Sequence, residues 1–288
     1  MIAITGANGH LGKATIQFLL QKVAPTNIVA IVRNPETIND FKEQGVIIRQ
    51  ADYNDYETLK QAFKGVEKAL QISTIGVDVE TAKQQEKNVV NAMAKNNIKH
   101  IVYTSMVQAR PNTIFQGTET QYHTEELIKK TNIPYTFFRN TMYMEAIPEL
   151  IGNALLTNVI RYPSGKGKVS FVSRTDIAEA IANVLTEPTH QNQTYEITGN
   201  TAYSFAELAQ LINAEKKMNI QHIDIADTDF KEELMSYQIP VEVADLLVSM
   251  ANGIKAGEFS FTSDSLEKLL GRKSLSLNEY VKTLHTAV

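Results

Sequence analysis

The chain has 288 residues, 43% of them hydrophobic and 21% charged, with a formal net charge of −4. This is the balance of an ordinary globular protein, and its mild acidity argues against a nucleic-acid partner, which would demand a basic face. Cysteine is absent, which excludes disulfides, thiolate nucleophiles and Cys-ligated metals, and the scattered histidines show no metal-ligand spacing, so no metal is expected.

The N-terminus, "MIAITGANGHLG", begins directly as a strand and a glycine turn, without the basic and apolar regions of a signal peptide. No apolar run approaches the roughly 20 residues of a membrane span, so a cytoplasmic protein without membrane association is expected. Short apolar runs then alternate with amphipathic helical patterns. The strands read as "MIAITG", "IVAIVR", "VIIRQAD", "KALQIST", "HIVYTS" and "YTFFRN". Between them lie helical patterns such as "LGKATIQFLLQKV", "YETLKQAFKG", "VETAKQQEKNVVNAMAKNN" and "TEELIKK". Alternation of this kind predicts an α/β fold, a Rossmann doubly wound parallel sheet. The charges of "GVDVETAKQQEKN" sit at helical spacing and read as a solvated helix face.

Past Asn140 the rhythm changes. "MEAIPELIGNALL" reads as a helix, "PSGKGKVSFV" as a hairpin-like surface loop carrying Lys166 and Lys168, and "VSFVSRTDIAEAIANVLTE" as a strand entering a helix capped by Thr175 or Asp176. "TYEITG" reads as a last strand, and "SFAELAQLINAEKK", "VEVADLLVSMANGI" and "SDSLEKLLG" as helices. Residues 1–140 are therefore expected to form the nucleotide-binding domain. Residues 141–288 are expected to form a smaller α/β lobe packed with it as one unit, some segments of which return to the main sheet, with a small-molecule cleft between the two.

"ITGANGHLGKATI" places Gly6, Gly9 and Gly12 at three-residue intervals, directly after a strand and opening a helix. Gly6 would permit the tight turn, Gly9 the approach of backbone to a pyrophosphate, and Gly12 close packing of helix on strand. The exposed N–H groups at the helix start favour a phosphate charge. The second strand ends in "AIVRNPE", with Arg33 where NAD enzymes commonly carry a carboxylate. A guanidinium there suits a 2′-phosphate, so NADP(H) is favoured over NAD(H). Asp52 and Tyr53, ending the third strand, would lie beside the adenine. There is no G-x-S-x-G and no triad order.

Taken together, "ITGANGHLG", "AIVRNP", "IRQADYND", "VYTS" and "IPYTFFRN" resemble the NmrA-like branch of the atypical short-chain dehydrogenases/reductases, and within it the type-2 NAD(P)H:quinone oxidoreductases and the triphenylmethane reductases. The similarity spans nearly the whole chain. It implies NADPH along the carboxyl edge of the sheet, held by Gly6, Asn8, Gly9, His10, Leu11 and Arg33. It further implies that Ser73 and Thr74, Tyr103 to Ser105 (with Thr104 between them), and Arg139 and Asn140 line the nicotinamide half.

Common short-chain dehydrogenases pair a tyrosine with a lysine four residues later. Here Tyr122 is followed at that spacing by Glu126, the wrong charge to support a tyrosinate, and Tyr122 reads as part of an amphipathic helix surface. On the same helix His123 reads as exposed, with Gln121 as another polar option. The resemblance implies hydride delivery to a quinone or similar flat aromatic electrophile, with water supplying the proton and the protein supplying orientation and a dry pocket. Tyr143, Asn140 and Met106 are the candidates to line the substrate, with Met142 and Met144 as apolar wall or core. The alternatives are a non-catalytic NADP(H) sensor and, against the missing acid/base pair, a sugar-nucleotide epimerase.

Overall fold

The computed structural model describes residues 1–74 and 78–285. Its strands, in chain order, are β1 (Ile2–Ile4), β2 (Ile28–Val32), β3 (Ile47–Gln50), β4 (Lys68–Gln71), β5 (His100–Met106), β6 (Tyr135–Asn140), β7 (Val159–Arg161), β8 (Lys168–Val169), β9 (Gln193–Ile197), β10 (Tyr203–Ser204) and β11 (Gln221–Ile223). Seven make one sheet in the order β3-β2-β1-β4-β5-β6-β9, every neighbouring pair parallel. The order reverses between β1 and β4, which opens a crevice at their carboxyl ends. In β2 all five residues are buried, as expected of a strand covered on both faces.

The helices of the first half are α1 (His10–Leu20), α2 (Asn39–Glu43), α3 (Tyr56–Ala62), α4 (Val79–Lys95) and α5 (Thr118–Lys130). Those of the second half are α6 (Ile147–Ile151), α7 (Ala154–Thr157), α8 (Arg174–Thr186), α9 (Phe205–Lys216), α10 (Asp227–Ser236), α11 (Val241–Lys255), α12 (Ser265–Leu270) and α13 (Leu277–Lys282). Helices α1, α8 and α12 cover one face over a mostly apolar core that includes Ile16, Leu19, Ile181 and Leu185. Helices α3, α4 and α5 cover the other face around Leu59, Phe63, Val89, Met93 and Phe137. A third core, with Phe115, Ile147, Tyr162, Phe205 and Phe259, binds the remaining C-terminal elements together. Among the described residues no helix is long and apolar enough to cross a membrane.

The strand read from "TYEITG" is β9, the seventh strand of the main sheet beside β6, and α8 packs on α1, so these are C-terminal segments that return to the main sheet. Elsewhere the structure departs from the sequence reading. The cap of α8 is Ser173, whose hydroxyl accepts from the Thr175 N–H, because that residue keeps the extended backbone an N-cap needs. The helix read from residues 144–156 breaks into α6 and α7 at Gly152, whose φ of +53° no helix accommodates. No hairpin forms around Lys166; β8 instead pairs antiparallel with β10. The charged stretch 76–88, of which 76 and 77 lie outside the described residues, is not wholly solvated, since Glu86 is fully buried.

Candidate functional site

The carboxyl ends of β1 to β4 open on one cleft of about 420 Å3. It is lined by Gly6, Asn8 and Gly9 after β1, Arg33 after β2, Asp52, Tyr53 and Asn54 after β3, Ser73 and Thr74 after β4, and Gln85 from α4. The turn that starts it is built by its glycines. Gly6 sits at φ +58°, and its carbonyl accepts from the Gly9 N–H at 3.0 Å. A Cβ on Gly12 would stand 2.5 Å from the Gly6 oxygen and 2.8 Å from the Ala7 Cα, so only glycine lets α1 lie against this turn. Gly9 caps α1 without a side-chain acceptor, so the first amides of the helix have no side-chain partner at the cap. His10 is exposed at this helix start, whereas the Leu11 side chain belongs to the core and can offer a ligand only its main chain.

Arg33 is exposed, and among the described residues its guanidinium has no ion-pair partner; its carbonyl accepts from Gln50 Nε2 at 3.0 Å. The β3 loop is tied to α4 by short polar links. Asp52 accepts from the Asn54 N–H (2.8 Å), Asn54 from Gln85 Nε2 (3.2 Å), and the Tyr53 carbonyl from Asn88 Nδ2 (2.8 Å). The Tyr53 hydroxyl is buried beside Thr5 and Gly6, and burial pushes its pKa up, so it stays a neutral phenol. At β4, Thr104 accepts from the Ser73 N–H at 2.9 Å and donates to the Ser73 hydroxyl at 3.2 Å. Thr104 thus holds Ser73 rather than facing the cleft itself.

Three residues expected to line the site point elsewhere. Side chains alternate along a strand, and the odd-numbered positions of β5 face α4 and α5. Tyr103 is fully buried there, edge-on to Phe137 with centroids 6.3 Å apart, and Ser105 donates to Glu125 Oε1 at 2.6 Å. Arg139, at the same level on β6, is engaged by Glu125 through Nε (2.9 Å) and Nη2 (2.7 Å) and by Glu196 through Nη1 (3.2 Å). Burial alone would lower the Arg139 pKa, but the two carboxylates raise it. Glu196 also accepts from the Gln108 N–H at 2.9 Å, and Glu258 from those of Ile114 and Phe115 at 2.8 and 3.0 Å, so carboxylates pin both ends of the β5–α5 loop.

Asn140 donates weakly to the Tyr143 hydroxyl at 3.5 Å, and its own Oδ1 is buried without a partner. The Arg174 guanidinium lies 5.2 Å from the Tyr143 ring centroid. Met106 and Met142 are half-buried against the C-terminal core, and Met144 lies inside it. A second cleft of about 250 Å3, beyond β9, is lined by Met144, Phe171, Asn200, Glu267 and Lys273 among others; neither cleft takes in Asn140, Tyr143 or Met106. On α5, Glu126 turns to Lys129 at 2.8 Å, and His123 is half-buried rather than exposed, its Nδ1 without a partner and its pKa lowered first by burial.

Sequence reasoning missed the buried polar layer itself, made by Gln71, Glu86, Gln121 and the Glu125–Arg139–Glu196 ladder. The signal was present in α5, where Thr118, Gln121, Thr124, Glu125 and Ile128 recur at helical spacing and form its buried, mostly polar face.

The whole length matches known proteins. The model of the NmrA-like family matches residues 1–285. Quinone oxidoreductase 2 of Escherichia coli (strain K12) is 35% identical over 284 residues, covering 99% of this chain and 98% of the relative. Among solved structures, the triphenylmethane reductase of Citrobacter sp. complexed with NADP(H) superposes with a TM-score of 0.92 at 38% identity, covering 98% of this chain and 99% of that one. The NADPH-dependent quinone oxidoreductase of Escherichia coli complexed with NADPH does so with a TM-score of 0.92 at 34% identity, covering 98% of each. The chain belongs to the NmrA-like family.

Proposed function

We propose that this protein is an NADPH-dependent reductase that passes hydride to a quinone or another flat aromatic electrophile. The chain is an NAD(P)H-dependent oxidoreductase, as relatives at 34% identity and above over nearly its full length support. The observation that carries the finer reading is the 420 Å3 cleft, which joins the glycine turn, Arg33 and the β4 loop in one continuous space. The residues present fit a phosphorylated dinucleotide. The turn admits no Cβ at Gly12, the first amides of α1 have no side-chain cap, and Arg33 stands exposed with no ion-pair partner among the described residues.

A reduced nicotinamide, when bound, supplies the hydride. The chain's own residues bind and orient. Amides following Gly9 would hold the pyrophosphate, Arg33 would face the 2′-phosphate, Asp52 and Tyr53 would border the adenine, and Ser73 and Thr74 would line the nicotinamide half. Asn140 keeps a buried acceptor for a ligand N–H, and Tyr143 and Met106 border the substrate as flat and soft surfaces. No tyrosine–lysine dyad moves a proton, since Glu126 occupies the lysine position and faces Lys129. The proton that completes reduction of a carbonyl to a hydroxyl comes from water. The test is NADPH oxidation by the purified protein across a panel of quinones and triphenylmethane dyes, repeated with NADH. Rapid oxidation with NADPH supports the reading; tight binding without turnover on any acceptor replaces it with a sensor.

A further inference from the structure

The β4–α4 loop rests on a carboxylate hidden within a charged stretch of sequence. Glu86 lies between Gln85 and Lys87 on α4, yet its side chain is fully buried. Its Oε1 accepts from both the main-chain N–H (2.5 Å) and the hydroxyl (2.9 Å) of Thr74, and its Oε2 accepts from Gln71 Nε2. Thr74 lines the 420 Å3 cleft, and its carbonyl is approached from the other side by Gln121 Nε2 at 3.5 Å. One residue therefore separates Glu86 from the ligand space.

We propose that Glu86 is a positioning residue whose ionised carboxylate fixes Thr74, and through it the β4 wall of the nucleotide cleft, without touching the ligand. This rests on reading that cleft as the nucleotide site. Both oxygens act as acceptors, and neither the Gln71 amide N–H nor the Thr74 main-chain N–H can accept in return. A proton on Oε1 therefore displaces the Thr74 N–H, and a proton on Oε2 requires the Gln71 amide to turn over and present its Oε1. Among the described residues no Lys or Arg forms an ion pair with Glu86. The groups that face it are the buried hydroxyls of Tyr103 on β5 and Tyr53 after β3, both held neutral by burial, with uncharged Gln71 on β4 and Gln121 on α5. Burial pushes the Glu86 carboxyl up to about 7, against the pull of its hydrogen bonds to Thr74 and Gln71. The conservative variant also has a built-in acceptor, because Gln71 Oε1 is buried and unpartnered. Turning the Gln71 amide over would let the amide introduced by Glu86→Gln donate to it while still accepting from Thr74.

The test is the Kd for NADPH, by calorimetry between about pH 6 and 8.5, for the wild type, Glu86→Gln and Glu86→Ala. The alanine variant should bind at least about tenfold more weakly, since a buried N–H and hydroxyl lose their acceptor. Because Glu86→Gln mimics the protonated carboxyl, the ratio of wild-type Kd to that of the glutamine variant should lie below one above about pH 7, where the wild type is ionised, and approach one below it. Titration of the 2′-phosphate is common to both proteins and cancels in the ratio. A wild-type affinity in Glu86→Ala, or parallel pH profiles for wild type and Glu86→Gln, overturns the role of Glu86 while leaving the cleft assignment intact. If the alanine variant does not fold, the pH comparison alone decides. A wild type that binds no NADPH overturns both.

Discussion

The two faces of the central sheet are built to different rules. Under α1 and α8 the core is mostly apolar, with Ile4, Ile16, Leu70, Val102, Phe138 and Ile181 in one cluster, interrupted at the amino ends of β5 and β6 by the buried pair His100 and Thr136. Under α4 and α5 it is apolar only towards the amino ends of the strands. Near the carboxyl ends it becomes a layer of Gln71, Glu86, Ser105, Gln121, Thr124 and Glu125. Burying charge is at best weakly stabilising, so a fold that needed only packing would repeat the first face on the second. The polar layer lies at the edge where the 420 Å3 cleft opens. The difference teaches that one face secures the fold while the other holds loops in place at some cost.

The largest test of this contrast is Glu125→Ala. It strips the half-buried Arg139 of its bidentate partner and the Ser105 hydroxyl of its acceptor. Removing one member of a buried pair should cost about 3–5 kcal/mol in denaturant unfolding. A loss below about 1 kcal/mol would mean that the ladder behaves like a surface pair, and the two faces would no longer differ in kind.

Next in size is the pH dependence set by Glu86. An unfolded glutamate ionises near 4.5, whereas the folded group ionises near 7. Between those values the folded chain keeps a proton that the unfolded chain has lost, so stability falls as pH rises through the window. Above it the full cost of about 3 kcal/mol is present. Glu86→Gln removes that cost, and its unfolding free energy should exceed the wild type's by up to about that amount at pH 8 and by much less at pH 4.5. An equal difference at both pH values would show that the carboxyl does not titrate as its burial demands.

A smaller effect belongs to Glu258, which is nearly buried and accepts the main-chain N–H groups of Ile114 and Phe115. Glu258→Ala leaves both donors without it and should cost about 1–3 kcal/mol. Amide hydrogen exchange should quicken at Ile114 and Phe115 and stay unchanged in β1 and β2. Unchanged exchange at 114 and 115 would show that Phe115 packing on Phe259, at 5.8 Å between centroids, holds the loop without the carboxylate.

Much of the first face was legible because its signals are local. Six strands of the sheet follow from apolar runs, and the turn at Gly6 follows from spacing that only a strand–turn–helix explains. The second face was not, for a physical reason. Which side of β5 Tyr103 takes depends on what packs against the strand, and alternation alone gives two equivalent answers. Glu86 sits among charges at helical spacing, and nothing local distinguishes the one buried carboxylate from its solvated neighbours. That some C-terminal segments return to the main sheet was expected, but that these are α8 and β9 is likewise a tertiary matter, since a strand–helix rhythm suits either lobe.

The smallest effect bears on the cleft rather than on either face. Arg33 is exposed at the end of β2, and among the described residues no carboxylate pairs with it, so its removal leaves no buried partner stranded and should not change stability measurably. What it should change is discrimination. A guanidinium in water facing a phosphate contributes on the order of one charge-assisted hydrogen bond, about 1.5 kcal/mol, hence about a tenfold weaker Kd for NADPH in Arg33→Ala. NADH, which lacks the 2′-phosphate, should bind the variant and the wild type alike. Raising the ionic strength should narrow the gap for NADPH, because an exposed pair is screened while the amides of the glycine turn are much less so. Equal losses for the two cofactors would mean that Arg33 shapes the turn instead of reading the phosphate. Selectivity would then have to come from the neighbouring Asp52–Asn54–Gln85 chain.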